Sequence, residues 1–260
     1  MPKLEKMGAI ARKILPVIYV LDTSGSMYGT RISTVNQAMT ETIEVLKDVA
    51  SKNPTAEIKI GVLQFSCDAA WVTPENELVF MDDFFWNNLI AAGTTNLTSA
   101  LNELFDKLSR SAFLNDDVGY KLPVIIFMSD GEPNDDSYGH ALKRLEANNN
   151  WFKYATKIAI AIDDECDIDI LAQVTGNKES VIQVSDMDSL KKLIKVVSAT
   201  ASLIGVKSRT DSDSTHDVIN TVKGEMGGKA KFFDPSPSDT TLPPDDSGSD
   251  DGWGNTGDWT

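Results

Sequence analysis

Cysteine, histidine, positive charge and long apolar runs are what this sequence has least of, and each shortage closes a class of function. Two cysteines, Cys67 and Cys166, in 260 residues cannot build a disulfide framework or a thiolate metal site. Two histidines, His140 and His216, have no serine or cysteine arrangement around them that makes a catalytic triad. Lys and Arg number 24 against 39 Asp and Glu, a formal charge of −15 that repels phosphate backbones and anionic headgroups. Nucleic acid and membrane are therefore excluded as expected partners. The apolar run Ile14 to Leu21 follows Arg12 and Lys13 in the manner of a leader. It stops at Asp22, lacks a small-residue cleavage pattern and is far too short to span a bilayer, so it reads as a buried strand. With reduced thiols as the plain reading of the cysteines, the expected location is the cytoplasm. No Gly-x-x-x-x-Gly-Lys-Ser/Thr loop is present to cradle a nucleotide.

What is present is an ordinary globular composition, 41% hydrophobic and 24% charged, in a chain long enough for one full-sized domain and an appendage. Strand-like runs at Ile14 to Leu21, Glu57 to Phe65, Trp71 to Thr73 with Leu78 to Phe80, Leu122 to Met128, Lys157 to Ile162 and Val181 to Val184 alternate with helical stripes. One stripe is Ile32, Val35, Met39, Ile43, Leu46 and Val49; others run through Leu97 to Leu108 and Leu190 to Ile204. The alternation predicts an α/β fold, a doubly wound and mostly parallel sheet with helices on both faces. Between Pro74 and Asn88 no period wins, and a hairpin followed by a surface turn is expected. The predicted boundaries are an N-terminal extension over 1–13, the α/β domain over 14–206 and an acidic tail rich in Ser, Asp, Pro and Gly over 207–260. From Asp211 on there are eleven acidic residues against three lysines, and from Asp234 no Lys or Arg at all. Burial there cannot offset the entropy of ordering, which predicts disorder. Trp253 and Trp259 stand out in that tail as aromatic anchors for a partner, beside two other readings, a self-inhibitor whose Asp reaches a metal of its own or a neighbouring domain and a plain solubilising arm.

The chemistry concentrates in Leu21-Asp22-Thr23-Ser24-Gly25-Ser26-Met27, between the first strand and the first helix. In an open parallel sheet that is where ligands bind. Oxygen-bearing side chains at Asp22, Ser24 and Ser26, with Gly25 allowing a tight turn, can converge on one point. Hard oxygens suit magnesium, manganese or calcium, and the absence of His and Cys nearby counts against zinc. The same turn, taken alone, also serves as a helix N-cap.

Asp22-Thr-Ser24-Gly-Ser26 resembles the Asp-x-Ser-x-Ser pattern of the metal-ion-dependent adhesion site (MIDAS) in von Willebrand factor A domains. Ala92-Gly93-Thr94-Thr95-Asn96-Leu97 is similar to that family's Gly-Gly-Thr-x-Leu loop, and Ile125 to Gly131 to its third motif. The resemblance covers roughly residues 14 to 204. It implies that Ser24, Ser26 and Thr95 touch the metal, with Thr94 as the alternative to Thr95, while Asp22 and Asp130 act partly through water. Asp130-Gly-Glu-Pro133 and the strand Ile160-Ala-Ile162 with its acidic loop are closest in style to the bacterial TerY-like branch associated with tellurite resistance.

The implied function is non-catalytic: a bound Mg2+, or Mn2+ or Ca2+, takes an Asp or Glu from a protein partner, in a bacterial stress or tellurite-resistance type of system. Two alternatives carry weight. A metal-dependent phosphoryl-transfer enzyme of the haloacid-dehalogenase kind also begins with an Asp after a first strand, but it needs an acid two residues on, where this chain has Ser24. An adaptor subunit of a chaperone-like ATPase assembly would leave the ATPase in its partner. Asp163, Asp164, Glu165 and Asp167 fall on the same rim and read as a solvated acidic loop. The cysteines read as inert, since acidic neighbours disfavour a thiolate.

Overall fold

Strands buried on both faces need helices above and below them, because a parallel sheet leaves no face for water. The computed structural model describes residues 12–135, 137–207 and 211–234. Strand β1 (Lys13–Asp22) lies inside the sheet, parallel to β2 (Ala56–Phe65) on one side and to β5 (Val124–Ser129) on the other. Beyond β5 come β6 (Thr156–Ile162) and β7 (Val181–Val184), also parallel. Three short strands finish the edges antiparallel: β3 (Ala69–Trp71) and β4 (Val79–Phe80) on β2, and β8 (Lys231–Phe232) on β7. From Pro74 to Asn88, where a hairpin followed by a surface turn is expected, the strand that forms is β4, which pairs with β2 along the same edge as β3.

The period of two sorts β1 between two layers. Leu15, Val17, Tyr19 and Leu21 face a core shared with α1 (Thr30–Ser51), α6 (Met187–Lys207) and α7 (Asp211–Met226). Ile14, Ile18 and Val20 face the opposite core, built with α2 (Leu97–Lys107), α3 (Tyr138–Asn148), α4 (Asn150–Lys153) and α5 (Ile168–Thr175). In β6 the division is also one of size: Ile158, Ile160 and Ile162 fill the first core, and Ala159 and Ala161 the second. The predicted doubly wound α/β architecture is the one observed. Among the described residues no helix is long and apolar enough to cross a membrane.

The composition-based boundary at residue 207 falls too early. Helix α7 buries Val218, Ile219, Val222 and Met226, each at most 2% exposed, and β8 extends the sheet beyond β7. These four apolar residues, spaced along one helical face, are hidden in the sequence by the Asp, Ser, Thr and Lys between them. Full burial of each such side chain contributes about 1.5–3 kcal/mol, which ties the helix to the core it shares with α1 and α6. Residues 1–11 and 235–260, with Trp253 and Trp259, lie outside the described residues, so the expected order or disorder of those ends is not part of the fold described.

The site is placed by topology. The two neighbours of β1 are β2 and β5, and the chain leaves toward them in opposite senses, which opens a crevice at the strands' carboxyl ends. Asp22 is the last residue of β1 and Ser129 the last of β5. If α7 belongs to the domain, Val222→Asp should cost at least about 3 kcal/mol in a denaturant titration, because it buries a charge without a partner. An unchanged unfolding midpoint would place α7 outside the cooperative unit.

Candidate metal centre

Three loops meet at the crevice and are tied together by backbone bonds. After β1, Thr23 N–H donates to the Phe65 carbonyl at 2.8 Å and Asp22 Oδ1 accepts from Ser24 N–H at 2.8 Å, which turns the chain sharply. The loop before α2 is stitched on by Gly25 N–H to Gly93 O (2.9 Å) and Ala92 N–H to Thr23 O (2.8 Å). Gly93 has φ +89°, and a Cβ there would lie 2.6 Å from Cys67 Sγ, so only glycine fits. The third loop follows β5. Asn134 Oδ1 accepts from Thr95 N–H at 2.8 Å while Asn134 N–H donates to Thr95 O at 2.9 Å. The Asp135 carboxylate accepts from Leu97 N–H, Thr98 N–H and the Thr98 hydroxyl, a position at the start of α2 that favours negative charge.

Four of the five expected ligands form one continuous polar chain. The Ser24 and Ser26 hydroxyls lie 3.0 Å apart, and Ser26 donates to Asp130 Oδ1 at 2.7 Å. Asp22 joins through the Ser24 backbone, and its Oδ2 accepts from the Ser129 hydroxyl at 2.6 Å. Asp22, Ser24 and Asp130 are buried, and Ser26 is exposed at the mouth. Thr95 is buried beside them and held by its backbone, with its hydroxyl outside the chain. Thr94 is exposed and turned away, donating from its N–H and hydroxyl to Cys67 Sγ at 3.4 and 3.5 Å. Between the two threonines, Thr95 is the one whose side chain lies inward.

Burial pushes the Asp22 carboxyl above its ordinary range; hydrogen bonds from Ser129 and Ser24 pull it back, and the nearby charge of Asp130 adds to the rise. Two buried carboxylates with neutral hydroxyls between them make a donor set suited to a hard divalent cation. Among the described residues no group of three or more His, Cys, Asp or Glu is arranged to hold a metal by itself. Any ion at this crevice therefore depends on the serine and threonine oxygens.

Sequence reading missed Arg31, Ser129, Asn134 and Asp135. Arg31 reaches back from α1 to donate to Asp130 Oδ2 (2.7 Å), the Ser26 carbonyl (3.0 Å) and Asp163 Oδ2 (2.6 Å). One signal was available: Arg31 is a cation in the first turn of a helix, where the dipole opposes it unless an acid is near. The acidic loop is not simply solvated. Asp163 is engaged by Arg31, which holds its carboxyl below the usual range; Asp164 accepts from Ser185, and Asp167 caps α5. Of the two cysteines expected to be inert, Cys166 agrees and Cys67 does not. Cys166 is buried and pushed up to about 12 by desolvation, whereas exposed Cys67 is drawn below its usual range by the two bonds from Thr94, which outweigh Asp68.

A family model described as the von Willebrand factor type A domain matches residues 17–196. Among solved structures, proximal thread matrix protein 1 from the mussel byssus, in a form with a zinc-occupied MIDAS motif, aligns with TM-score 0.54 and 22% identity over 74% of this chain and 49% of that one. A von Willebrand factor type A protein from Catenulispora acidiphila aligns at 0.53 and 18%, over 74% and 43%. The ArnB paralog VWA2 from Sulfolobus acidocaldarius aligns at 0.51 and 17%, over 72% and 45%. This chain spans less than half the length of each of these structures, and at such identities the likeness establishes the fold alone. No curated protein matches.

Gly93→Ala tests the loop geometry. Left-handed strain and the Cys67 contact together should cost about 1–3 kcal/mol in thermal or denaturant unfolding. Adding Cys67→Ala should recover the steric part and leave the φ penalty; full recovery, or no cost at all, would contradict the placement of Gly93 against the thiol.

Proposed function

The chain belongs to the von Willebrand factor type A domain family, and on that premise we propose that it is a non-catalytic, divalent-metal-dependent protein-binding module. The observation that carries this reading is the polar chain from Asp22 through Ser24 and Ser26 to Asp130, gathered at the crevice between β1 and β5. In the proposal Asp22, Ser24, Ser26, Thr95 and Asp130 form a MIDAS. A bound Mg2+, or Mn2+ or Ca2+, supplies an electrophilic position at which an anionic oxygen is favoured over a neutral one. The residues of the chain do the rest. The neutral hydroxyls of Ser24 and Ser26 would offer oxygens to the ion without cancelling its charge, and Asp22 and Asp130 would supply the negative charge. Ser129 orients Asp22, and Asn134 and Asp135 fix the loop that carries Thr95.

The partner in this reading is a protein that presents an Asp or Glu. Domains of this family commonly mediate protein interactions through a metal site, and a MIDAS motif is named for the mussel protein that shares the fold. Asp130-Gly131-Glu132-Pro133 supports assigning the chain to the TerY-like branch, and with it a stress or tellurite-resistance type of role. Lack of catalysis is part of the proposal: Ser24 stands where a phosphoryl-transfer enzyme of the haloacid-dehalogenase kind would need an acid.

Calorimetric titration with Mg2+ and Mn2+ tests the site directly. Asp22→Ala and Asp130→Ala should each lose about 10–100-fold in affinity while keeping a cooperative melt, since the apolar sheet is untouched. Thr95→Ala should weaken binding more than Thr94→Ala, whose hydroxyl is committed to Cys67. Unchanged affinity in both aspartate variants would sink the assignment. A protein partner, once captured, should be released by chelator.

A further inference from the structure

Arginine is the wrong charge for the first turn of a helix, yet Arg31, the second residue of α1, has only 25% of its side chain exposed and every visible partner is an oxygen. One terminal nitrogen donates to Asp130 Oδ2 and to the Ser26 carbonyl; the other donates to Asp163 Oδ2. The remaining oxygen of Asp130 accepts from the Ser26 hydroxyl, so this carboxylate is divided between the polar chain and the guanidinium. Asp163 is held for the purpose. It has φ +77°, a left-handed conformation that a non-glycine residue adopts at a cost. Its N–H donates to Val184 O at 2.8 Å, and its carbonyl accepts from Gln183 Nε2 at 3.1 Å. Arg31 thus joins the loop after β1 to the ends of β5 and β6.

We propose that Arg31 is the built-in counter-cation of this centre, which sets how tightly a divalent ion is held and how much of the ion's charge is left for an anionic ligand. The inference rests on the metal-binding reading given above. Asp22, Asp130 and Asp163 bring three negative charges to the rim; a divalent ion and Arg31 together balance them. Without the guanidinium the same ion would face one uncompensated carboxylate more. It would be bound more tightly and would attract an incoming carboxylate less. Arginine suits the task because its planar fork reaches two carboxylates at once and cannot lose its proton, whereas lysine supplies the charge without the fork.

A role confined to bracing the loops predicts the opposite sign. If Arg31 only positioned Asp130, removing it would loosen a ligand and weaken ion binding. Mn2+ titration of the full chain, followed by calorimetry at low and high ionic strength, separates the two. Arg31→Gln should bind Mn2+ about tenfold more tightly at low salt. The gain should shrink toward about 1 M salt, where exposed charges are screened. Arg31→Lys should stay near wild type. Asp163→Asn, which removes a carboxylate and keeps the guanidinium, should bind Mn2+ several-fold more weakly. In chelator Arg31→Gln should melt below wild type, and excess Mn2+ should restore it. Opposite shifts in the Arg31 and Asp163 variants support the counter-cation role; weaker or unchanged binding in Arg31→Gln, or unchanged binding in Asp163→Asn, overturns it. A wild-type chain that binds Mn2+ while its Arg31→Gln variant is unaltered would leave the metal-binding reading standing and remove only this inference. A wild-type chain that does not bind Mn2+ removes both.

Discussion

The hydrogen bond from Ser26 to Asp130 closes the crevice between β1 and β5 across 104 residues of sequence, and the arrangement of the rim depends on it. Strand order places the two carboxyl ends side by side, but parallel pairing alone leaves the loops beyond them free to diverge. The 2.7 Å bond joins them, and the Ser24–Ser26 contact carries the connection back to Asp22. Gly25, which lies inside this chain, must then approach the Gly93 carbonyl, and Gly93 must take a left-handed conformation against Cys67. The left-handed turn is a local cost, accepted where inner strands buried on both faces leave the loops little room to relax.

The electrostatics of the rim pull in two directions. Asp22 has its carboxyl raised, so its ionised form disfavours the folded state: the penalty is absent below the unfolded carboxylate pKa and grows as pH rises through the ordinary range. Asp163 has its carboxyl lowered by Arg31, so its contribution is present above the unfolded pKa and is lost as pH falls through the folded one. One acid is strained by burial and the other relieved by a cation. The two sit at the ends of β1 and β6, with Asp130 after β5 between them.

Much of this was legible in the chain. β7 was read to the residue, at Val181 to Val184, because an all-buried strand between turn residues leaves no other reading. β1, an unbroken apolar run, and α1, a strong helical stripe, were read to within two residues at each end. That Asp22, Ser24, Ser26 and Asp130 come together at the strand ends was legible through the resemblance of their spacing to a family pattern. Helix α7 was not, since Val218, Ile219, Val222 and Met226 are too few to dominate a segment whose average is polar; a sum over composition hides a stripe. Asp163 was placed on the rim, but its pairing with Arg31 was not legible, because the two are 132 residues apart and only the strand order makes them neighbours. Asn134 and Asp135 were passed over for a similar reason: their partners Thr95, Leu97 and Thr98 belong to another loop.

If an acidic residue of a partner is what this rim takes, the overall charge of −15 works against the encounter. At physiological ionic strength both effects act within about 8 Å, but the repulsion is spread over the whole surface while the attraction is confined to the crevice. A partner acidic over its whole surface would therefore be slowed before it reached the centre. The combination selects for the reverse: a partner that is basic or neutral over most of its surface and offers one carboxylate at the point of contact. Arg31 fits that logic at close quarters, because a guanidinium already paired with Asp130 and Asp163 lowers the local repulsion without offering a competing site of its own. Selectivity would then come from two effects acting in opposite senses, repulsion spread over an acidic surface and capture of a single acidic side chain at the crevice.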